Sequence, residues 1–166
     1  MAHGRSKRAV NAERLKERIY ISFAALAVLV ALSAHEVAPE AATGTLVITV
    51  LGTVTAVFVA DMLSHLVVQG GLPTAAELRH ALAASFGAAT AGIAPVLLLI
   101  GAIAGWWSTE FALRAGQLCV VLGLVIVAYL AVRRVPMRWW QRIIALGVEA
   151  LVGSLVVIIQ VAAHGG

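Results

Sequence analysis

Polar and apolar residues along this chain follow neither the two-residue period of a half-buried strand nor the mixed 3.6-residue period of a helix facing water. The apolar residues arrive in five blocks, at about 19–34, 45–68, 83–106, 111–132 and 139–163. A bilayer core about 30 Å thick needs roughly 20 apolar residues in a helix. The pattern therefore predicts an all-α fold, a polytopic transmembrane bundle of five spans. The first block is short for a span, at roughly 16 residues. The stretch leading into it, 9–18, consists of good helix formers, so one helix is expected to run from the aqueous phase into the membrane. A basic start, an apolar run and the small-residue end Leu32-Ser33-Ala34 also outline a signal peptide. We read the block as a retained anchor.

Charge then sets the orientation. Arg5, Lys7, Arg8, Arg14, Lys16 and Arg18 precede the first span, making 1–18 a basic cytoplasmic segment and 19–166 the membrane domain. With the N-terminus inside, Arg79, Arg133, Arg134, Arg138 and Arg142 also fall inside, and Arg114 alone of the 12 basic residues falls outside. The outer connections carry Glu36, Glu40 and Glu110. This positive-inside bias predicts the N-terminus inside and the C-terminus outside, in the inner (plasma) membrane. Trp106-Trp107 and Trp139-Trp140 fall at opposite interfaces, where indoles prefer to sit.

The connections carry local signals. Gly70-Gly71 ends the second span, and Thr74-Ala-Ala-Glu77 has the form of a capping box that starts a helix near Ala75. That helix carries Arg79 and His80 and leads into the third span, where Pro95 should produce a kink. Ser108 suits the N-cap of the fourth span, Glu110 and Arg114 are a correctly ordered i,i+4 pair, and Pro136 suits the start of the fifth. The third span is rich in small residues, and Gly87, Gly92, Gly101 and Gly105, with Gly153 on the fifth span, are the expected points of close helix packing.

Composition sharpens this picture. At 61% hydrophobic and 12% charged, the chain is far from the roughly 25% charge of a soluble domain. A nucleic-acid partner is excluded despite the pI near 10.0. One cysteine, Cys119, excludes an intrachain disulfide and a cysteine zinc site. His35-Glu36 opens like a HExxH motif, but Pro39 and the missing second histidine break it. No nucleotide loop or nucleophile elbow occurs, and no cofactor is implied. The expectation is a non-enzymatic protein.

The polar residues inside the blocks carry the candidate chemistry. Asp61 and His65 lie one turn apart on the second span. Arg142, Glu149, Gly153, Gln160 and His164 form a stripe on the fifth, within about 60° of one another. Asp61 and Glu149 lie at similar depths, about 12 and 15 Å from the inner ends of their spans. An acid at that depth carries a penalty of about 2.5–3.5 kcal/mol, so these should face a bundle interior, an oligomer axis or water. Two close carboxyls resist joint ionisation and can share an exchangeable proton, and an imidazole one turn away can relay it. Asp61, His65 and Glu149 are equally the candidates for holding a divalent metal. A structural reading pairs the same groups dry across helix interfaces. Haem would require His65 from two copies.

Glu17-Arg-Ile-Tyr20, Leu78-Arg-His-Ala-Leu82 and Val148-Glu-Ala-Leu-Val-Gly153, running on to Gln160 and His164, resemble a family of small Ala/Val/Leu-rich multi-pass proteins of high-GC bacteria. The resemblance implies the topology and no assigned activity. Five spans also invite comparison with vacuolar iron transporters, but the apolar run of the first span lacks the acid of that family's motif. The expected function is a proton- or cation-conducting channel or transporter, a homo-oligomer in the lipid bilayer. Asp61, His65, Glu149, Gln160 and His164 would line its path. The alternative is an accessory or scaffold subunit of a larger membrane complex.

Overall fold

The computed structural model describes residues 2–133 and, beyond them, residues 140, 143, 144 and 147; side chains are described from Leu15 onward, except at 69, 80, 131 and 132. The fifth predicted span thus lies outside the described residues but for those isolated positions. The described chain is helical, with no strand. Its elements are α1 (Ala2–Ser33), α2 (Pro39–Gln69), α3 (Ala75–Ala89), a 3-10 turn (Thr90–Gly92), α4 (Ile93–Ile103) and α5 (Thr109–Arg133).

Three helical rods are long and apolar enough to cross a membrane: Pro39–Val68, Ala75–Ile103 and Thr109–Leu130. The helix α1 is not among them. Between Arg18 and its end at Ser33 the apolar run extends only about 22 Å at 1.5 Å per residue, short of a 30 Å core. As expected, α1 is one continuous helix from the basic segment into the apolar block.

The rods run up, down, up and down. We call the end with the 34–38 and 104–108 connections upper and the end with the 70–74 connection lower. The rod α3–α4 touches each of the other three, its lower half against α1 and α2 and its upper half against α2 and α5. The helix α1 also packs on α2, α3 and α5. The core consists of Ile21, Ala25 and Leu29 of α1, Leu46 and Val50 of α2, Ala88, Leu99 and Ala102 of the third rod, and Leu113, Val120 and Leu124 of α5. Outward, Ile48, Val67 and Val68 of α2 are 72%, 84% and 79% exposed. So much apolar surface on one rod suits lipid contact better than water.

The local signals resolve as chemistry dictates. Pro39 opens α2 six residues before the predicted span, because proline is pre-shaped for a first helical turn, and Glu40 joins that turn. Gly70 ends α2 in the left-handed conformation at φ 67°, its N–H bonding Leu66 O at 2.9 Å. Ser108 Oγ accepts from Phe111 N at 3.2 Å, and Glu110 pairs with Arg114 at 2.6 Å. Pro95 has no N–H to offer Ala91, and the ladder tightens to a 3-10 turn just before it. Two glycines let neighbours grip this break. A Cβ on Gly92 would stand 3.1 Å from Val50 Cγ2 of α2, and one on Gly116 would stand 3.0 Å from Pro95 Cβ.

Candidate functional site

The core line of α2 runs Ala42, Leu46, Val50, Val54, a step of four residues each time. Asp61 is seven residues beyond Val54 and eleven beyond Val50, which puts it within about 20° of both. His65 continues the line, and both side chains are half-buried. The acid therefore lies on the inward stripe of its helix, not on the face that carries Ile48, Leu63 and Val67. Asp61 makes no hydrogen bond or ion pair with any described residue, whereas His65 is engaged.

The partner of His65 comes from the next helix. Gly70 reverses the chain, and Thr74 and Glu77 start α3 with a complete capping box. The backbone N–H and hydroxyl of Thr74 donate to Glu77 Oε2 at 2.8 and 2.7 Å, and Glu77 N donates to Thr74 Oγ1 at 3.4 Å. His65 Nε2 lies 3.8 Å from that same Oε2. This is too long for a hydrogen bond and within ion-pair range for a protonated imidazole. One carboxylate oxygen thus fastens the end of α2 to the beginning of α3.

At the upper end a second polar tie joins helices distant in sequence. Gln117 Nε2 of α5 donates to Leu29 O at 3.0 Å and to Ser33 Oγ at 2.9 Å, both on α1. Trp106 is 75% exposed, as an interfacial indole should be, but Trp107 folds inward against the core and donates from Nε1 to Leu98 O at 2.8 Å. Gly105, at φ 76°, ends α4 in a Schellman arrangement: its N–H bonds Ala102 O and Trp106 N bonds Gly101 O, each at 3.0 Å.

Of the residues expected in an ion path, Asp61 and His65 share the inward stripe, while Glu149, Gln160 and His164, with Arg142, lie outside the described residues. Asp61, His65 and Glu149 as a metal set shares that limit; among the described residues no three His, Cys, Asp or Glu side chains converge. Of the expected packing glycines, Gly92 admits α2, Gly101 admits Trp107, and Gly105 is a helix cap. A Cβ on Gly87 would meet nothing within 4 Å, and Gly153 is outside the described residues.

Sequence reasoning missed Glu17, 1% exposed, and Glu77 as the partner of His65. A signal for the first existed: four-residue steps down the buried line Leu29, Ala25, Ile21 arrive at Glu17. No family model, curated protein or solved structure matches the chain.

Proposed function

We propose that the protein is a non-enzymatic, integral-membrane proton- or cation-conducting channel or transporter. In this reading it has five spans, with the N-terminus inside and the C-terminus outside the plasma membrane, and assembles as a homo-oligomer. Asp61 is a carboxyl of the path, His65 is its neighbour at the cytoplasmic mouth, and Glu149, Gln160 and His164 continue it on the fifth span. The observation that carries the reading is Asp61 itself, an acid on the inward stripe of an apolar helix with no described partner. An ionisable group at membrane depth is expensive and ordinarily serves a function.

A scaffold or accessory subunit is the second reading. What favours it is the use of His65 and Gln117 as ties between helices. Reconstitution into liposomes separates the two. Flux driven by a pH gradient or a voltage, diminished in Asp61→Asn and Glu149→Gln, supports the conduit. Background flux in all three proteins overturns it in favour of the scaffold.

A further inference from the structure

The charges on the described helices divide by level. At the upper end stand Glu36, Glu40, Glu110 and Arg114, and Arg114 is paired with Glu110. The lower half holds eight cations, on α1, α3 and α5, against four acids. Residues 134–166 add three arginines and one acid, Glu149, so their carboxylate can offset a single cation at most.

The same charges mark the edges of the bilayer. Between Glu40 and Asp61, α2 is uncharged for twenty residues, and between Arg114 and Arg133, α5 is uncharged for eighteen. These runs are about 30 and 27 Å long at 1.5 Å per residue, the thickness of a hydrocarbon core. Measured from the upper ends of their rods, Asp61 lies about 33 Å down and Arg79 and Arg133 about 36 Å down, which sets the lower edge.

Arg18 breaks this pattern. It lies only about 22 Å below the end of α1, about 11 Å above the level of Asp61. That level is occupied on the other rods by Val54, Ala88 and Leu124, all buried and apolar. Ser22 and Leu26, one and two turns above Arg18 on α1, are buried, yet Arg18 itself is exposed. It makes no ion pair with a described residue, and neither do Arg79 and Arg133, which are exposed as well. A guanidinium facing hydrocarbon is costly, and the cost is relieved when the side chain turns toward the headgroups and the leaflet thins to meet it.

We propose that the lower rim of the bundle binds anionic phospholipid headgroups through Arg18, Arg79 and Arg133, with Arg18 as the highest point of contact. A guanidinium takes two phosphate oxygens at once, and the upper rim, with three acids to one arginine, repels the same headgroups. Tyr129, exposed one turn above Arg133, suits the headgroup level. The inference needs the chain to lie in a bilayer and needs nothing of ion conduction, so it can fail without the conduit reading and survive without it.

Thermal unfolding of the full chain in mixed micelles, titrated with phosphatidylglycerol or phosphatidylcholine, tests the rim. Phosphatidylglycerol should raise the apparent melting temperature by several degrees more than phosphatidylcholine, and high salt should shrink the difference. Arg18→Gln, Arg79→Gln and Arg133→Gln should each weaken the apparent affinity for phosphatidylglycerol by up to about fivefold, and the triple variant should lose the preference. The three Arg→Lys variants and Arg114→Gln should keep it. A wild type indifferent to headgroup charge overturns the proposal. So does a triple Gln variant with its preference intact, which would assign the lipid to the basic stretches 2–14 and 134–142. Should the triple variant fail to fold, unchanged affinity in all three single variants overturns it equally. Equal stabilisation by inorganic phosphate would make the rim a site for free anions instead. Glu149→Gln checks Arg18: the expected affinity is that of wild type, and tighter phosphatidylglycerol binding would show that this carboxylate, not lipid, is the partner of Arg18.

Discussion

The indole of Trp107 occupies the space that a side chain on Gly101 would take: a Cβ there would come within 2.8 Å of ring carbon Cε2. The same indole is fixed by its Nε1 bond to Leu98 O. Gly101→Ala must therefore push the ring outward and strain that bond, and overpacking of this kind costs about 1–3 kcal/mol. For a chain of this length the apparent melting temperature in detergent should fall by several degrees, with a red shift in tryptophan emission. Gly87 stands in open space, so Gly87→Ala should be neutral or raise stability by up to about 1 kcal/mol, through helix propensity alone. Equal losses in both would show that the two glycines act alike.

The turn between α2 and α3 concentrates three contacts on one oxygen, Glu77 Oε2. Thr74→Ala removes the cap and should cost about 1 kcal/mol. Glu77→Ala removes the reciprocal half together with the partner of His65. Because the two residues belong to one network, the double variant should lose less than the sum of the singles, by about 0.5 kcal/mol or more. Thermal unfolding of the four proteins in one detergent measures this. Strict additivity would mean that the network is not cooperative.

These local devices were legible in the sequence, and the tertiary ones were not. The Thr74–Glu77 box, the Ser108 cap, the Gly70 stop and the Glu110–Arg114 pair depend on residues within four positions of one another, so spacing is enough. The break at Pro95 follows from the missing N–H. Trp107 read as an interfacial indole because neighbouring tryptophans look identical in sequence; only packing sends one outward and the other onto Gly101. Glu17 read as part of a charged, aqueous stretch, since Lys16 and Arg18 flank it. The four-residue line from Leu29 through Ala25 and Ile21 does reach Glu17, but the charges on either side of it outweighed that signal.

Gln117 joins α5 to α1 across 84 and 88 residues of sequence through two bonds. Interhelical hydrogen bonds in membranes are individually modest, averaging about 0.6 kcal/mol. Gln117→Leu should therefore destabilise by about 1 kcal/mol, and Ser33→Ala by less, since the Leu29 bond survives. A Gln117→Leu protein as stable as wild type would mean that packing alone holds α5 on α1.

Asp61 permits the sharpest separation of a functional acid from a structural one. A buried carboxylate held in an ion pair stabilises its surroundings, and removing it leaves an uncompensated partner, at about 3–5 kcal/mol. Asp61 has no such partner among the described residues, yet it sits on the inward stripe of α2. Asp61→Asn keeps the shape and removes the charge, so the expected result is an unchanged or higher melting temperature alongside diminished ion flux. Asp61→Leu should extend the trend in both measurements, because leucine is favourable in an apolar helix and an acid is not. That opposition, stability gained as activity is lost, marks a residue kept for function at the expense of the fold. A fall of several degrees in Asp61→Asn with no flux to lose would assign the acid to packing and hand the chain to the scaffold reading.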